Sequence, residues 1–519
     1  VQLTDADRPS GLVRWFVAVA AALPAVLTLV AVRLTRPAAG TDAVAYIAVA
    51  DSLRAGDGLG FFIERPLTTW PPLWPMVLAA GSAVTGWRGD QVAVVVNAAM
   101  LVGVVLVGAA VAQRVLVDLR LRAVLVAGLA VSPLLVGLAA FVQTEVAFVL
   151  VSLVTIWLLL LATERSQPAL LVAAGLATCV GFYIRYQALY VVPPLALWLA
   201  VRSWRQDRSV GRVVAEVCWF AVPAVVPSVA WMLRNLSVSD TAMGPRFPSS
   251  VGPVQNVAAA FRTTAKFVTS IPDGPNVVLA ALGVAIVAVV VVTAARTQGF
   301  RPLDAVSGPV GLLGVFVVGF TALMVLSRSV VGFDDLDIRL LAPCMVPTAL
   351  LFLRWVELVL VDRPRWRRVG WTVAGVWLGA QALVTLALLG PLNTVISDVG
   401  YNTPRAVAAS TSPALDALPE GCVLYSNNSA DLYRSKLETQ ISPRRTEYKS
   451  DQPTDDLQEL RDRVTSAARD GGQVCLVWVE YTVDPEFHDR DDLADVVDLR
   501  ELASADGVTT YVLAPRGSS

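Results

Sequence analysis

Two carboxylates and a group of arginines at the ends of apolar runs are the residues best suited to do chemistry here. Asp42 lies in "TDAVAYIAVADSLRAGDG" (41–58), four residues before Tyr46, and Glu145 in "FVQTEVAF" (141–148). Arg185 lies in "FYIRYQALY" (182–190), Arg234 and Asn235 in "WMLRN" (231–235), Arg246 in "MGPRF" (243–247), and Arg339 in "FDDLDIRLLAP" (333–343). A positioned carboxylate takes the proton of an attacking hydroxyl. Arginine binds phosphate through a bidentate fork. Each residue also has an ordinary reading: Asp42 as a helix N-cap with Thr41 as competitor, Glu145 as an acid favoured by a helix dipole, any one arginine as a headgroup contact. Ionisable residues that gather on one side of a membrane are functional candidates, and together these fit a site for an anionic, lipid-linked substrate. One histidine (His488, in a solvated loop) and five scattered cysteines make no zinc site.

The elements that must position these residues are membrane helices. The 519-residue chain is 55% hydrophobic and 16% charged, against roughly 25% charged in soluble proteins. Its apolar runs of about 20 residues match a hydrocarbon core of roughly 30 Å. The expected fold is an α-helical polytopic membrane protein of about 11–13 transmembrane helices with a small C-terminal α/β domain. The first run, near Gly11–Val32, reads as a retained helix and not as a cleaved signal. The arginine-rich loops 114–122, 202–212 and 363–368 are expected in the cytoplasm. Glu145, Arg185, Arg234, the 235–272 and 328–338 loops and the tail then fall outside. Two crossings within 72–112 would break this alternation, which leaves two readings open: one segment there is partial or re-entrant, or the basic loop 114–122 misleads on its side.

Residues 34–71 form the first outer loop, and Ile47, Val49 and Leu53 suggest a helix lying in the membrane interface. The prolines of "PPLWP" (71–75) start the next helix at a fixed angle, with Trp70 and Trp74 at headgroup level. The transmembrane part is read as 1–392 and a soluble domain as 393–519. In the latter, 421–426, 473–481 and 508–515 suggest strands and 454–471 a helix. Cys422 and Cys475 lie in two of these strands, either bridged outside the cytoplasm or as buried thiols. The Gly-x-Gly of "GDGLGFF" (56–62) has no strand–turn–helix context and is a turn. No nucleic-acid partner is expected.

An acid soon after the first membrane helix, then Tyr46, then "PPLWP", resembles membrane glycosyltransferases of the GT-C superfamily, in the bacterial branch of aminoarabinose transferases and relatives of protein O-mannosyltransferases. "YIRYQALYVVPPL", "WMLRN…GPRF" and "IRLLAPCMVP" are similar to later motifs of that branch, so the resemblance runs over most of 10–390. It implies transfer of a sugar from a polyprenyl-phosphate carrier to a cell-envelope glycan, lipid or protein acceptor on the outer face of the plasma membrane. Asp42 would be the base and Glu145 the second acid. Arg234, Arg246, Arg339 and more loosely Arg185 would hold the carrier phosphate, with Tyr46 and Asn235 lining the substrate site. The resemblance requires no cofactor and does not indicate a divalent cation. Two departures stand out. Relatives often pair two acids in the first loop, where this chain offers only Asp51 or Asp57 as alternatives to Asp42. Some carry a lysine before "PPL"; here that place is Trp70, and Arg65 is the nearest cation. A transporter or flippase of a lipid-linked sugar would use the same arginines without a base, but no paired broken helices are visible. A scaffold displaying the tail has no reason to gather cations at one edge.

Overall fold

The computed structural model describes residues 11–271, 274–297, 306–390, 400–482 and 484–517. Its larger part is a helical bundle. In chain order the helices are α1 (Gly11–Thr35), α2 (Thr41–Ala55), α3 (Leu73–Thr85), α4 (Gly89–Val115), α5 (Leu119–Ala130), α6 (Pro133–Ala139), α7 (Glu145–Arg165) and α8 (Pro168–Ile184). They continue with α9 (Val192–Asp207), α10 (Val210–Ser239), α11 (Pro253–Thr269), α12 (Asn276–Thr297), α13 (Pro309–Val330), α14 (Met345–Val356) and α15 (Arg367–Leu389). Among the described residues, nine helical runs are long and apolar enough to cross a bilayer. The chain is thus a multi-pass membrane protein.

The bundle has two chemically distinct ends. At one, Arg114 pairs with Glu164 (2.8 Å), Arg202 donates to the carbonyls of Thr163 (3.4 Å) and Ser307 (3.1 Å), and buried Glu357 accepts from the backbone amides of Val117 (2.8 Å) and Asp118. The three arginine-rich loops lie at this end. Asp42, Glu145, Arg185 and Arg339 lie at the other.

The crossing pattern near 72–112 resolves at α3. Thirteen residues of helix span about 20 Å, short of a hydrocarbon core. Both of its flanks stay at the same end: Thr68 accepts from the Tyr186 hydroxyl (2.8 Å), and Arg88 donates to the Tyr401 hydroxyl (3.2 Å) in the tail. Only α4 crosses, and the loop 114–122 falls with the other arginines.

The helix α2 corrects a second expectation. It does not lie on the membrane surface, because Ala43 through Ala50 are all buried. It packs in a cluster with Trp74 and Leu78 of α3, Val92 and Ala93 of α4, and Tyr401 and Tyr433 of the tail. Ala43, Ala45, Ala48 and Ala50 explain the misreading. Alanine adds little to an apolar stripe, yet its small side chain lets neighbours close on every face.

The tail folds as a five-stranded mixed sheet in the order β2-β1-β3-β5-β4, with β1 (Val423–Ser426), β2 (Gln440–Ile441), β3 (Val474–Val479), β4 (Val497–Ala505) and β5 (Val508–Pro515). β1 runs parallel to β2 and β3, while β5 is antiparallel to β3 and β4. The expected helix is Asp456–Arg469, whose Leu460 and Val464 face the sheet. Cys422 and Cys475 form a disulfide. The expected boundary at 392/393 falls in 391–399, outside the described residues.

Candidate functional site

Asp42 caps nothing. The N-cap of α2 is Gly40, and no side chain bonds the first turn. Asp42 instead turns its carboxylate to Arg339, Oδ2 to Nη2 at 3.3 Å. The Nε of Arg339 donates to Glu145 Oε1 (3.1 Å), which also accepts from Arg185 Nη1 (2.8 Å). Arg185 further donates to Thr144 Oγ1 (2.9 Å) and Gln187 Oε1 (3.2 Å). Four elements thereby meet: the start of α2, the start of α7, the end of α8, and the 333–341 segment before α14. The main chain of that segment is braced by Asp337, which accepts from the amides of Arg339 (2.9 Å) and Leu340 (3.1 Å).

Exposure separates the two acids. Glu145 keeps 1% of its side-chain surface and Asp42 keeps 36%. Glu145 therefore serves to hold two guanidinium groups, and Asp42 stays partly accessible. Burial raises the Asp42 pKa, and Arg339 and Arg185 only partly oppose it, with Asp334 and Glu145 adding like charge. Burial alone would lower the Arg339 pKa, but Glu145, Asp42, Asp334 and Asp337 together raise it. Tyr46 is buried against Trp70 (6.2 Å between centroids), and burial with nearby Asp42 raises its pKa. It is a wall residue.

Arg234 and Asn235 belong to a second knot. Arg234 donates to the Leu67 carbonyl (2.8 Å) and lies over the Trp231 ring (4.8 Å). Asn235 donates to Tyr186 (3.1 Å) and to the Ala242 carbonyl (2.9 Å), and Trp231 donates to Tyr186 (3.1 Å). Glu64 fastens the same loop by accepting from the amides of Thr68 (2.6 Å) and Thr69 (2.8 Å). This knot fixes backbone, and Arg234 spends its Nη1 on the Leu67 carbonyl and on the Asn235 amide oxygen (3.0 Å). Gly244, at φ +77°, lies against Thr69, where a Cβ would come within 2.6 Å of the threonine hydroxyl. That contact sets the course of the chain to Arg246. Arg246 is exposed and pairs with no carboxylate among the described residues. Desolvation lowers its pKa, with Tyr190, Tyr186, Tyr448 and Glu64 in partial opposition.

The sequence reading placed the acids and arginines at one end but not in these groups. Arg65 is exposed and joins neither knot among the described residues. Asp51, an alternative acid, is engaged by Tyr433 (3.0 Å) and Lys436 of the tail. Thr144, Gln187, Asp334 and Tyr448 were missed. Asp334 stood in the "FDDLD" run; nothing local to Tyr448 marks it. Among the described residues, no three His, Cys, Asp or Glu side chains are grouped to hold a metal.

An apolar groove of about 710 Å³ lies between α9 and α13, lined by Pro193, Pro194, Leu197, Val310, Val318 and Leu323 among others. Leu197 and Val318 are exposed on its flank. One turn above Leu323, Ser327 bonds Tyr190 (2.7 Å), and Tyr190 is among the tyrosines around Arg246.

Residues 69–231 match the family described as Dolichyl-phosphate-mannose-protein mannosyltransferase. No curated protein matches the chain by sequence. Among solved structures the chain is similar to ArnT from Cupriavidus metallidurans bound to undecaprenyl phosphate, at 16% identity and a TM-score of 0.59, over 97% of this chain and 98% of that one. It is similar to the archaeal oligosaccharyltransferase AglB from Archaeoglobus fulgidus in complex with an inhibitory peptide and a dolichol-phosphate, at 11% identity and a TM-score of 0.55, over 97% and 74%. It also resembles the arabinofuranosyltransferase AftD from Mycobacteria, at 14% identity and a TM-score of 0.55, over 97% of this chain and 40% of that one.

Proposed function

We propose that this chain, which has the GT-C fold, is an integral membrane glycosyltransferase that moves a sugar from a polyprenyl-phosphate donor to a cell-envelope acceptor. One observation carries the reading. A partly accessible carboxylate, Asp42, meets Arg339, which a buried Glu145 holds together with Arg185 at one end of a membrane-spanning bundle. The groove suits a polyprenyl tail, and Arg246 suits its phosphate. The lipid phosphates in the ArnT and AglB structures support that donor class.

In the reaction the acceptor hydroxyl attacks the anomeric carbon while the bond from that carbon to the phosphate oxygen breaks. The electron pair leaves with the polyprenyl phosphate, and the acceptor proton passes to Asp42. A raised pKa suits this role, since a stronger base removes the proton better. Charge building on the departing phosphate is stabilised by fixed cations, here Arg246, with Arg339 and Arg185 behind it. Glu145 touches no substrate; it orients both of the latter. No resident cofactor enters this scheme.

The arginine-rich loops at the opposite end favour a cytoplasmic assignment there. The Cys422–Cys475 disulfide, on the side of the site, favours an oxidising compartment. Both support a plasma-membrane enzyme acting on its outer face.

The test uses membranes carrying the full chain and a panel of radiolabelled polyprenyl-phosphate hexoses and pentoses. Label moving from one of these donors into a glycan, lipid or protein product is the expected result. Movement of the intact donor across vesicles without transfer to any product contradicts it and favours a flippase.

A further inference from the structure

The soluble domain does more than rest on the bundle. Its 443–454 segment, tied back on itself by a bridge between Thr446 and Pro453, reaches the bundle at Asp334. It is rigid from behind, because Glu486 pairs with both Arg444 (3.2 Å) and Lys449 (3.1 Å). It docks in front on the bundle, where the Ser250 amide donates to the Lys449 carbonyl (3.4 Å). Gly332 makes this approach feasible: a Cβ there would stand 2.6 Å from the Lys449 carbonyl oxygen and 2.9 Å from that of Tyr448. The result is that the Tyr448 hydroxyl donates to Asp334. The other oxygen of Asp334 stands 3.7 Å from Arg339 Nη1, and Arg339 is the partner of Asp42.

Asp334 and Asp42 thus compete for one guanidinium. We propose that Tyr448, carried by the soluble domain, is a positioning residue of the transfer site: by holding Asp334 it keeps Arg339 turned to Asp42. This rests on the reading of Asp42 as the base. The groups facing Asp42 are Arg339 and Asp334 from the 333–341 segment, Arg185 from the end of α8, Glu145 from α7, Tyr46 from its own helix, and Tyr448 from the soluble domain. Without the tyrosine hydroxyl, Asp334 closes on Arg339 and withdraws positive charge from Asp42. The protonated form of Asp42 then persists to higher pH. Without the Asp334 charge, Asp42 has Arg339 to itself and ionises at lower pH.

The test is pH-dependent carbodiimide labelling of Asp42, read by mass spectrometry on the full-length protein in detergent, because the reagent modifies the protonated carboxyl. Tyr448→Phe keeps the ring, and should move the labelling midpoint up by roughly half a unit to one unit. Asp334→Asn should move it down. In the double variant, Tyr448→Phe should add nothing, since its effect passes through Asp334. An unchanged midpoint in Tyr448→Phe, or the same shift with Asp334 absent, overturns the proposal. The labelling needs no sugar transfer. Shifts as expected in a protein that transfers no sugar would overturn the proposed function and leave the positioning role standing.

Discussion

Two glutamates, one at each end of the bundle, are equally buried and do different things. Glu357 and Glu145 each keep 1% of their side-chain surface. Glu357 accepts from two backbone amides, those of Val117 and Asp118, and from Arg354, three residues before it. Its hydrogen bonds stitch the start of α5 to the residues just after α14 and go no further. Glu145 accepts on one oxygen from two arginines of distant segments, while its other oxygen has no partner among the described residues. The remaining donors of those arginines reach Asp42, Asp334, Thr144 and Gln187. A buried carboxylate closed by backbone is a lock. One closed by guanidinium groups with donors to spare fixes a charged surface that a substrate can use.

Breaking the second arrangement should have the larger effect. Glu145→Gln leaves two guanidinium groups without their common anion. It should destabilise the protein by roughly 3 kcal/mol and lower transfer on the order of a hundredfold, read by thermal unfolding and by kcat/KM. Arg246→Gln removes a cation that no protein acid needs. Donor KM should rise about tenfold, with stability unchanged within about 0.5 kcal/mol. Arg234→Gln should do the reverse, costing about 1 kcal/mol of stability through the Leu67 carbonyl and the Trp231 ring with donor KM little altered. Glu357→Gln should cost about 1–3 kcal/mol and leave kcat/KM within about twofold of wild type. If it abolished transfer at matched folding, the contrast between the two ends would fail.

The smallest effect concerns stability against pH. The folded-state pKa of Asp42 is raised by burial. Its contribution is therefore fully present below the unfolded carboxylate pKa and lost as pH rises through the folded one. Asp42→Asn cannot lose it. The variant should match wild type in acid and exceed it in stability above the folded pKa, by thermal unfolding across pH.

Much of the site was legible because charge at the end of an apolar run is conspicuous. Asp42, Glu145, Arg185 and Arg339 stand out against their neighbours, and the alternation of basic loops put them at one end. Which of them touch was not legible, since partners such as Asp42 and Arg339 lie 297 residues apart. Nor was it legible that Asn235 gives its amide to Tyr186 and the Ala242 carbonyl, or that Arg234 gives Nη1 to the Leu67 carbonyl, since both are facts of loop geometry. The α2 helix was misplaced because its alanines do not declare a buried face. Tyr448 was invisible because its position comes from how a separate sheet domain docks at Gly332, for which the flanking sequence carries no pattern.

The most direct test of the account is transfer from a polyprenyl-phosphate sugar by wild type and Asp42→Asn at matched expression. The account predicts a loss of about a hundredfold or more in the variant, the range a general base supplies, with the protein still folded. Equal transfer by the two proteins would contradict it and remove Asp42 from the chemistry.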